Sequence, residues 1–391
     1  MPTWDVMHGS RAVAEAVRLC KVNVIAAYPI TPQTHIVADI AQMVADGVIQ
    51  AEYVNVESEH SAMSVVIGAC GTGARTFTAT ASQGLALMFE MLFVASGMRL
   101  PIVMVNANRA LSAPINIWND QQDSIAARDV GWIQLYVETG QEALDTTIMA
   151  FKIAEDLDVQ LPVMVCMDGF VLTHTVEPVE IPDEEDVSRF LPPFKPVQYL
   201  DPKKPMALGP IAFPDVYMEL RYEQQLAMDR ALRVIKKVDA EFKEVFGRGY
   251  GGLVEEYNIN KDTEVVIVTI GSVAGTIKDV IEEMGDRRVG LLRIKSFRPL
   301  PKEEIKRVLS KARVVGVVEK DVSIGLGKGA LASEIRDAMY GEAKAPKLLS
   351  FIAGLGGRDI EINSVRGVIL TCKKALKEEV KEIHWVDLKT G

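Results

Sequence analysis

The chain has 391 residues, of which 48% are hydrophobic and 25% charged, and this is the composition of a soluble globular protein with two or three domains. The formal net charge of −10 argues against nucleic-acid binding, because phosphate contacts need clustered Lys and Arg. No stretch approaches the roughly 20 apolar residues of a membrane span, and the Met1–Asp5 segment lacks the features of a signal peptide. We therefore expect a cytoplasmic protein with no nucleic-acid or membrane partner.

The first 175 residues alternate apolar runs of strand length with amphipathic runs of helix length, which predicts a parallel sheet with helices on both faces. The predicted strands are Val22–Ala27, Glu52–Val56, Arg75–Thr80, Pro101–Asn106, Ile133–Val137 and Pro162–Met167. The predicted helices are Arg11–Cys20, His35–Ala45, Ser58–Ala69, Leu85–Ser96 and Gln141–Leu157, in which apolar residues recur every three or four positions.

The composition changes at about Glu177, where prolines begin to punctuate a charged segment that continues to about Gly251. We interpret this segment as an ordered connector that runs into a polar helix, Tyr217 to about Phe246, lying in solvent or bridging subunits. A second α/β unit has predicted strands at Glu264–Ile270, Val289–Ile294, Arg313–Val318 and Lys347–Ile352. The predicted domains are residues 1–175 and 256–391, with a connector of residues 176–255.

The four cysteines, Cys20, Cys70, Cys166 and Cys372, lie far apart and form no CxxC pair. No Cys/His set has the spacing of metal ligands, so we predict no metal site in this chain. The cysteines are interpreted as small buried apolar residues. An iron–sulfur cluster, if the activity needs one, would belong to another chain.

Four loops that follow predicted strands contain unusual polar residues. They are Tyr28–Pro32, Glu57–His60, Thr80–Gly84 and Asn106–Arg109. Because ligands bind beyond the carboxyl ends of strands in open parallel sheets, we expect one shared site. Arg109 has the planar donor geometry that binds a carboxylate, which suits an acid substrate. Each loop taken alone also has a structural alternative, in which Thr31 and Ser58 cap helices and Arg109 forms a surface ion pair.

These loops resemble those of the 2-oxoacid:ferredoxin oxidoreductase family in type, order and spacing. Tyr28–Pro32 resembles the family's YPITP signature, Ser58-Glu59 with Gly68-Ala69 its SE-x8-GA segment, and Thr78–Gly84 its T-A-x-S-Q-G turn. Further similar segments are Asn108–Pro114, Arg128–Trp132 and Gly354–Asp359, so the resemblance covers essentially the whole chain.

The resemblance implies an α/β fold in which a thiamin-diphosphate-binding, pyrimidine-type parallel-sheet domain precedes a smaller, transketolase C-terminal-like α/β domain. It also implies that Glu59 hydrogen-bonds the aminopyrimidine ring of the cofactor and promotes its activation, with Glu57 as the competing candidate. Burial would raise the pKa of Glu59, whereas its place in the first turn of a helix would lower it, and the sequence leaves this balance open.

The same resemblance implies that Arg109 and Thr31 hold the carboxylate and keto groups of the substrate. The cofactor-binding residues that it implies are Glu59, Tyr28, Pro29, Ile30, Ser82 and Gln83. The implied reaction is the oxidative decarboxylation of a 2-oxoacid, foremost pyruvate, to an acyl-coenzyme A, with electrons passed to iron–sulfur clusters. Coenzyme A is then a co-substrate.

The family marks its diphosphate-binding half with a GDG triplet that holds Mg²⁺, and this chain has no GDG. The chain is therefore identified as a member of the alpha-type subunits, which share thiamin diphosphate with a partner. The implied partners are a diphosphate-binding beta-type subunit with Mg²⁺, a gamma-type subunit, and a ferredoxin-like subunit with 4Fe–4S clusters. Ferredoxin or another acceptor takes the electrons from a duplicated hetero-oligomer.

Other interpretations stay open. The substrate could be a branched-chain or aromatic 2-oxoacid, 2-oxoglutarate or oxalate, since subunits for these are closely similar. The chain could also belong to a non-redox thiamin enzyme of transketolase or decarboxylase type, or be a non-catalytic α/β binding protein. The glycine-rich turn Gly325–Gly329 is either a phosphate-binding turn or a purely structural one.

Overall fold

The computed structural model describes residues 1–389, which form two β-sheets covered by helices and a two-stranded ribbon. The strands are β1 (Thr3–His8), β2 (Val24–Ala27), β3 (Glu52–Asn55), β4 (Thr76–Thr80), β5 (Val103–Asn108), β6 (Ile133–Tyr136), β7 (Val163–Asp168), β8 (Val176–Ile181), β9 (Val254–Tyr257), β10 (Val265–Thr269), β11 (Val289–Ile294), β12 (Ser296–Arg298), β13 (Val314–Glu319), β14 (Lys347–Ile352) and β15 (Ile383–Trp385). The helices are α1 (Gly9–Leu19), α2 (Thr34–Ala45), α3 (Glu59–Gly71), α4 (Gln83–Leu87), α5 (Phe89–Gly97), α6 (Gln122–Ala126), α7 (Gly140–Glu155), α8 (Val171–His174), α9 (Glu184–Phe190), α10 (Tyr217–Phe246), α11 (Val273–Met284), α12 (Lys302–Leu309), α13 (Ala330–Met339) and α14 (Ile362–Ala375). Within residues 1–389, no helix combines the length and the apolar character needed to cross a membrane.

The larger sheet has seven strands in the order β12-β6-β7-β5-β4-β2-β3. Its neighbouring strands are parallel, except that the edge strand β12 is antiparallel to β6. Every residue of β4, β5, β6 and β7 is buried, so the centre of the sheet is covered on both faces. The predicted parallel sheet, with all six of its predicted strands, is confirmed.

Short polar side chains fix where the helices of this sheet begin. Ser58 precedes α3, and its Oγ accepts a hydrogen bond from the backbone N–H of Ser61 at 3.3 Å. Thr139 does the same for α7, accepting from the N–H of Glu142 at 3.1 Å. Such a cap satisfies an amide that has no partner within the helix. The cap at Ser58 therefore places Glu59 at the first position of α3.

The amino terminus forms an unpredicted ribbon with the start of the connector. β1 pairs antiparallel with β8, so that Thr3 lies opposite Ile181 and His8 opposite Val176. The predicted connector begins with this strand, which is followed by α9. This pairing escapes prediction because its two strands are separated by most of the first sheet in sequence.

Two helix predictions were wrong in detail. The single helix expected over Leu85–Ser96 is divided at Met88 into α4 and α5. The polar helix α10 has the predicted limits, but one face, which includes Ala231, Val238 and Phe242, is buried and the helix packs against α7. The apolar residues of α10 recur at helical spacing between charged ones and form an apolar stripe along one face. Such a stripe is enough for a helix to pack against a core.

The smaller sheet has the strand order β15-β14-β13-β10-β11-β9, with only β9 antiparallel to its neighbour. The four predicted strands are observed as β10, β11, β13 and β14. Although β12 follows β11 directly in sequence, it pairs with β6 of the larger sheet. The four cysteines are free and buried, as predicted, and burial raises the pKa of each thiol.

A buried ion-pair network also joins the two units. Arg293 of β11 is 1% exposed; its Nη1 donates to Glu142 Oε2 of α7 at 2.7 Å and its Nε to Glu255 Oε2 at 2.7 Å. Burial opposes the ionisation of Glu142, but the charges of Arg293 and Lys295 outweigh it and lower its pKa to about 2. Because breaking such a buried pair costs about 3–5 kcal/mol, the network holds the two units in one arrangement.

Candidate active site

The carboxyl edge of the larger sheet contains a point where the strand order reverses. After β2 the chain adds β3 on one side of β2 and then β4 on the other side. The loops that follow these strands lie at one edge, as predicted, because β2, β3, β4 and β5 are parallel. In open α/β sheets such a reversal leaves a crevice in which ligands bind.

Glu59 is a buried carboxylic acid at this edge. The residue is 6% exposed and occupies the first position of α3. A Cβ added to Gly84 would lie 2.6 Å from Glu59 Oε1, so the turn after β4 packs directly against the carboxyl group. Burial raises the pKa of Glu59 above its ordinary value, and the hydrogen bond of its own backbone amide only partly opposes this. Burial is therefore the dominant effect on the pKa of Glu59.

Glu57 lies in a different environment. It is exposed, and the hydroxyl of Ser61 donates a hydrogen bond to its carboxylate, which lowers its pKa. A solvated, ionised carboxylate has little tendency to hold a proton near neutral pH. The structure thus distinguishes Glu59, which is buried at the crevice, from Glu57.

The turn after β4 has an unusual backbone conformation. Ser82 has φ 49° and ψ −117°, a combination that residues other than glycine rarely adopt. Its backbone N–H donates to Asp123 Oδ2 at 3.0 Å, and its Oγ donates to the carbonyl of Ala110 at 2.5 Å. The hydroxyl of Ser82 therefore faces the protein interior, while Gln83 Nε2 donates to Ser112 Oγ of the loop beyond Arg109. These contacts join the strained turn to the loop that contains Arg109 and Ser112.

Arg109 lies at the end of β5 and is 6% exposed. Its Nη1 donates to the carbonyl of Thr31 at 2.9 Å, and its Nε donates to the carbonyl of Asn116 at 2.9 Å. Burial lowers its pKa, and the nearby charge of Asp123 opposes this shift. Among residues 1–389, Nη2 has no hydrogen-bond acceptor. The structure thus brings Arg109 and Thr31 into contact and leaves part of the guanidinium available to a ligand.

Asp123 connects the loops of the site, and the sequence analysis did not identify it. Its carboxylate, in a residue 3% exposed, accepts hydrogen bonds from two backbone amides of the site, those of Ser82 and Arg109 at 3.0 and 3.1 Å. It also accepts from the side-chain amides of Asn106 and Asn108, at 3.0 and 2.8 Å. Burial raises the pKa of Asp123, although these hydrogen bonds lower it in part. The only sequence signal is the polar run 119–123, which lacks any periodicity.

Gln33 anchors the loop that contains Tyr28, Pro29 and Ile30, and it too was not predicted. This fully buried side chain accepts a hydrogen bond from the N–H of Ile30 at 3.2 Å and donates one to the carbonyl of Ala79 at 2.7 Å. It thereby joins the loop after β2 to β4 across the crevice. Tyr28 and Pro29 are exposed.

The glycine-rich turn Gly325–Gly329 precedes α13. A phosphate bound there would accept hydrogen bonds from the backbone amides at the start of this helix. The chain's own carboxylates take these amides instead. The N–H groups of Gly329 and Ala332 donate to Glu319 at 3.2 Å each, and that of Ala330 donates to Asp321 at 2.8 Å. Burial raises the pKa of both carboxyl groups. This geometry favours the structural alternative for the turn.

Two protein-family models match the chain. Residues 15–240 match the model described as "Pyruvate flavodoxin/ferredoxin oxidoreductase, thiamine diP-bdg". Residues 263–365 match the model described as "Pyruvate:ferredoxin oxidoreductase core domain II". The first match covers more than half of the chain and includes the loops that follow β2, β3, β4 and β5.

Similar proteins align over nearly the full length. Pyruvate synthase subunit PorA of Methanocaldococcus jannaschii is 57% identical over 388 residues, which are 98% of this chain and 98% of that protein. Ketoisovalerate oxidoreductase subunit VorA of Pyrococcus abyssi is 43% identical over 393 residues, which are 99% of this chain and 98% of that protein.

A solved structure has a similar fold. It is 2-oxoglutarate:ferredoxin oxidoreductase from Magnetococcus marinus with 2-oxoglutarate, coenzyme A and succinyl-CoA bound, and it aligns with a TM-score of 0.72 at 21% identity. The alignment covers 94% of this chain and 65% of that longer chain. The family matches and the relatives confirm the resemblance first noted in the loops. The chain belongs to the 2-oxoacid:ferredoxin oxidoreductase family, as an alpha-type subunit with the family's thiamin-diphosphate-binding fold.

Proposed function

We propose that this chain is the alpha-type subunit of a pyruvate:ferredoxin oxidoreductase. The reaction converts pyruvate and coenzyme A to acetyl-coenzyme A, carbon dioxide and a proton, and reduces two one-electron acceptors. The 57% identity to a pyruvate synthase subunit, against 43% to a ketoisovalerate oxidoreductase subunit, supports pyruvate as the substrate. The structural observation that carries the proposal is the buried carboxyl group of Glu59, which accepts no hydrogen bond from another residue within 1–389.

The surroundings of Glu59 suit the aminopyrimidine ring of thiamin diphosphate. A flat ring with a hydrogen-bonding edge needs a carboxyl group at that edge and small residues beside it. Gly84 is such a small residue and lets its turn approach the carboxyl group closely, because a side chain there would overlap both Thr80 Oγ1, at 2.4 Å, and Glu59. We assign the ring to Glu59 and to the loop residues Tyr28, Pro29 and Ile30. Ser82 and Gln83 contribute through the backbone of their turn, since their side chains bond within the chain.

Glu59 would control a proton at the ring nitrogen. Its raised pKa keeps a proton on the carboxyl group at higher pH than an ordinary glutamate does, which is what a general acid–base group needs near neutral pH. Burial by the turn after β4 also keeps water from competing for this proton. When bound, thiamin diphosphate supplies the carbon nucleophile and the electron sink for decarboxylation.

Arg109 and Thr31 would bind the substrate beside the cofactor. We assign the carboxylate of pyruvate to Arg109, whose Nη2 has no acceptor among residues 1–389, and the keto oxygen to the Thr31 hydroxyl. The two residues are in contact through the carbonyl of Thr31. Charge-assisted hydrogen bonds in a partly buried site give both affinity and orientation.

Partner chains would supply the rest of a cytoplasmic enzyme. This chain has no GDG triplet and its four cysteines are buried and separate, so we assign the diphosphate and Mg²⁺ to a beta-type subunit. A gamma-type subunit and a ferredoxin-like subunit with 4Fe–4S clusters would complete a duplicated hetero-oligomer that binds coenzyme A and reduces ferredoxin. Within this chain we propose a pyrimidine-binding domain of residues 1–175, a connector of residues 176–255, and a second domain of residues 256–391.

Arg109→Ala tests the substrate site. We expect the KM for pyruvate to rise about 10- to 100-fold in the reconstituted complex, because one charged hydrogen-bonding partner is lost. Steady-state reduction of a viologen dye measures this. Arg287→Ala removes a side chain that is 73% exposed and should leave KM unchanged. An unchanged KM in Arg109→Ala would contradict the assignment.

A panel of 2-oxoacids tests the substrate itself. The intact complex, supplied with coenzyme A and a viologen acceptor, should give its highest kcat/KM with pyruvate, ahead of 2-oxoisovalerate, 2-oxoglutarate and arylpyruvates. A higher value with 2-oxoisovalerate would assign the chain to the ketoisovalerate-type enzymes instead. No turnover with any 2-oxoacid would overturn the proposed function.

A further inference from the structure

The Gly354–Gly357 turn follows β14 of the smaller sheet and lies against the loop that follows Arg109 in the larger unit. Asn116 Nδ2 of this loop donates to the carbonyl of Gly356 at 3.0 Å. In the opposite direction, the N–H of Gly356 donates to Asp120 Oδ2 at 3.1 Å. The turn and the loop are therefore joined by two hydrogen bonds across the two units.

Glycine is required at two positions of this turn. Gly356 has φ +61°, and a Cβ added there would lie 2.6 Å from Asn116 Nδ2. Gly357 has φ +80°, and its Cβ would lie 2.3 Å from the Cβ of Trp118. Both the left-handed backbone and the close approach exclude other residues. The turn therefore contacts the loop that follows Arg109, and no residue larger than glycine fits at positions 356 and 357.

The contact with Asn116 continues to Arg109. The carbonyl of Asn116 accepts the hydrogen bond from Arg109 Nε at 2.9 Å, so the backbone of Asn116 fixes the position of the Nε side of the guanidinium. The side chain of Asn116 also accepts from the N–H of Trp118 at 2.7 Å, and the carbonyl of Trp118 accepts from the N–H of Ala110 at 3.0 Å. The loop closes on itself directly beside Arg109, with Asn116 as its link to the smaller unit.

We infer that the Gly354–Gly357 turn positions Arg109 for the substrate carboxylate, acting through Asn116. The smaller α/β unit thereby takes part in substrate binding without touching the substrate. This inference rests on the proposed function, in which Arg109 binds the carboxylate. Asn116 and Gly356 are positioning residues, and they give a role to the glycine-rich segment at Gly354–Asp359.

Asn116→Ala and Gly356→Ala test the inference in the reconstituted complex. Each should raise the KM for pyruvate roughly 5- to 20-fold while kcat changes far less, because lost positioning weakens binding of the carboxylate. The deuterium exchange of the C2 proton of bound thiamin diphosphate, followed by NMR, should stay at the wild-type rate, since Glu59 is untouched. Gly367→Ala is the matched control, because a Cβ there meets no atom within 4 Å.

The double variant adds a second criterion. If Asn116 and Gly356 act through one contact, Asn116→Ala/Gly356→Ala should raise KM no more than the stronger single variant does. Asn116→Ala changes a half-buried side chain in a mostly exposed loop, so its folding, checked by thermal unfolding, should be normal even if Gly356→Ala unfolds. A wild-type KM in Asn116→Ala overturns the inference. If Arg109→Ala also leaves KM unchanged, the proposed role of Arg109 fails with it.

Discussion

Glu59→Gln should lower kcat/KM for pyruvate by about 10²- to 10⁴-fold in the assembled enzyme, the contribution of a well-placed general acid–base group. Glutamine fills the same space beside Gly84 but cannot hold and return a proton. Viologen reduction across a range of pH measures the loss. The matched control is Glu57→Gln, which changes an exposed carboxylate two positions away and should stay within about twofold of wild type. The reverse result, with Glu57→Gln inactive and Glu59→Gln active, would show that Glu57 and not Glu59 transfers the proton.

The same substitution should not destabilise the chain at neutral pH. Because the pKa of Glu59 is raised by folding, its proton stabilises the folded state fully below the ordinary glutamate pKa. This contribution is lost as the pH rises through the raised value, where the buried charge opposes folding. Glutamine carries no charge, so thermal unfolding of Glu59→Gln should occur at the wild-type temperature or above it at neutral pH. A large fall in that temperature would mean that lost activity reflects lost structure.

Asp123→Ala should have the second large effect, on both stability and activity. The substitution removes the acceptor of five hydrogen bonds, and the amides of Ser82 and Arg109 cannot turn toward other partners. Leaving buried donors unsatisfied costs about 1–3 kcal/mol each, so we expect a loss of about 3–5 kcal/mol in the free energy of unfolding. Since the turn against Glu59 and the position of Arg109 both depend on this carboxylate, kcat/KM should fall at least about 100-fold. Urea unfolding and the viologen assay measure the two effects.

Asp123→Asn separates hydrogen bonding from charge. Its amide oxygen can still accept from Ser82 and Arg109. Its NH₂ group takes the place of Oδ1, so Asn108 must flip to present its unpartnered side-chain oxygen, and the N–H of Ser124 loses its acceptor. The asparagine variant should therefore retain activity within about tenfold of wild type, a change of about 1.4 kcal/mol. Asp279→Ala, on an exposed position of α11, controls for loss of an aspartate. Equal damage from asparagine and alanine would mean that the charge, not the acceptor, is what the site needs.

The strands and most of the loops of the site could be predicted because their signals are local. Buried parallel strands are continuous apolar runs, and Tyr28–Pro32 and Thr80–Gly84 interrupt such runs with proline, glycine and polar residues. Parallel order then places these loops at one edge. Glu59 was identified through the family resemblance, and the cap at Ser58, which is a local property, accounts for its place at the start of α3.

The residues that hold the site together could not be predicted, because their contacts are distant in sequence. Asp123 lies in a polar run without periodicity, and its role arises only where the ends of β4 and β5 meet it. Asn116 touches Gly356, 240 positions away, in a unit with its own sheet. The ribbon of β1 and β8 has the same origin. Local residue propensity does not predict such pairings, because they depend on tertiary packing.

Deuterium exchange at C2 of thiamin diphosphate tests most directly whether this chain supplies the proton-handling half of the active site. It is measured by NMR in the assembled complex without substrate, so it does not depend on pyruvate, coenzyme A or the electron acceptor. We expect wild-type and Glu57→Gln complexes to exchange at the same fast rate, and Glu59→Gln to exchange at least about 100-fold more slowly. Fast exchange in the Glu59→Gln complex, with cofactor bound, would contradict the function proposed for this chain.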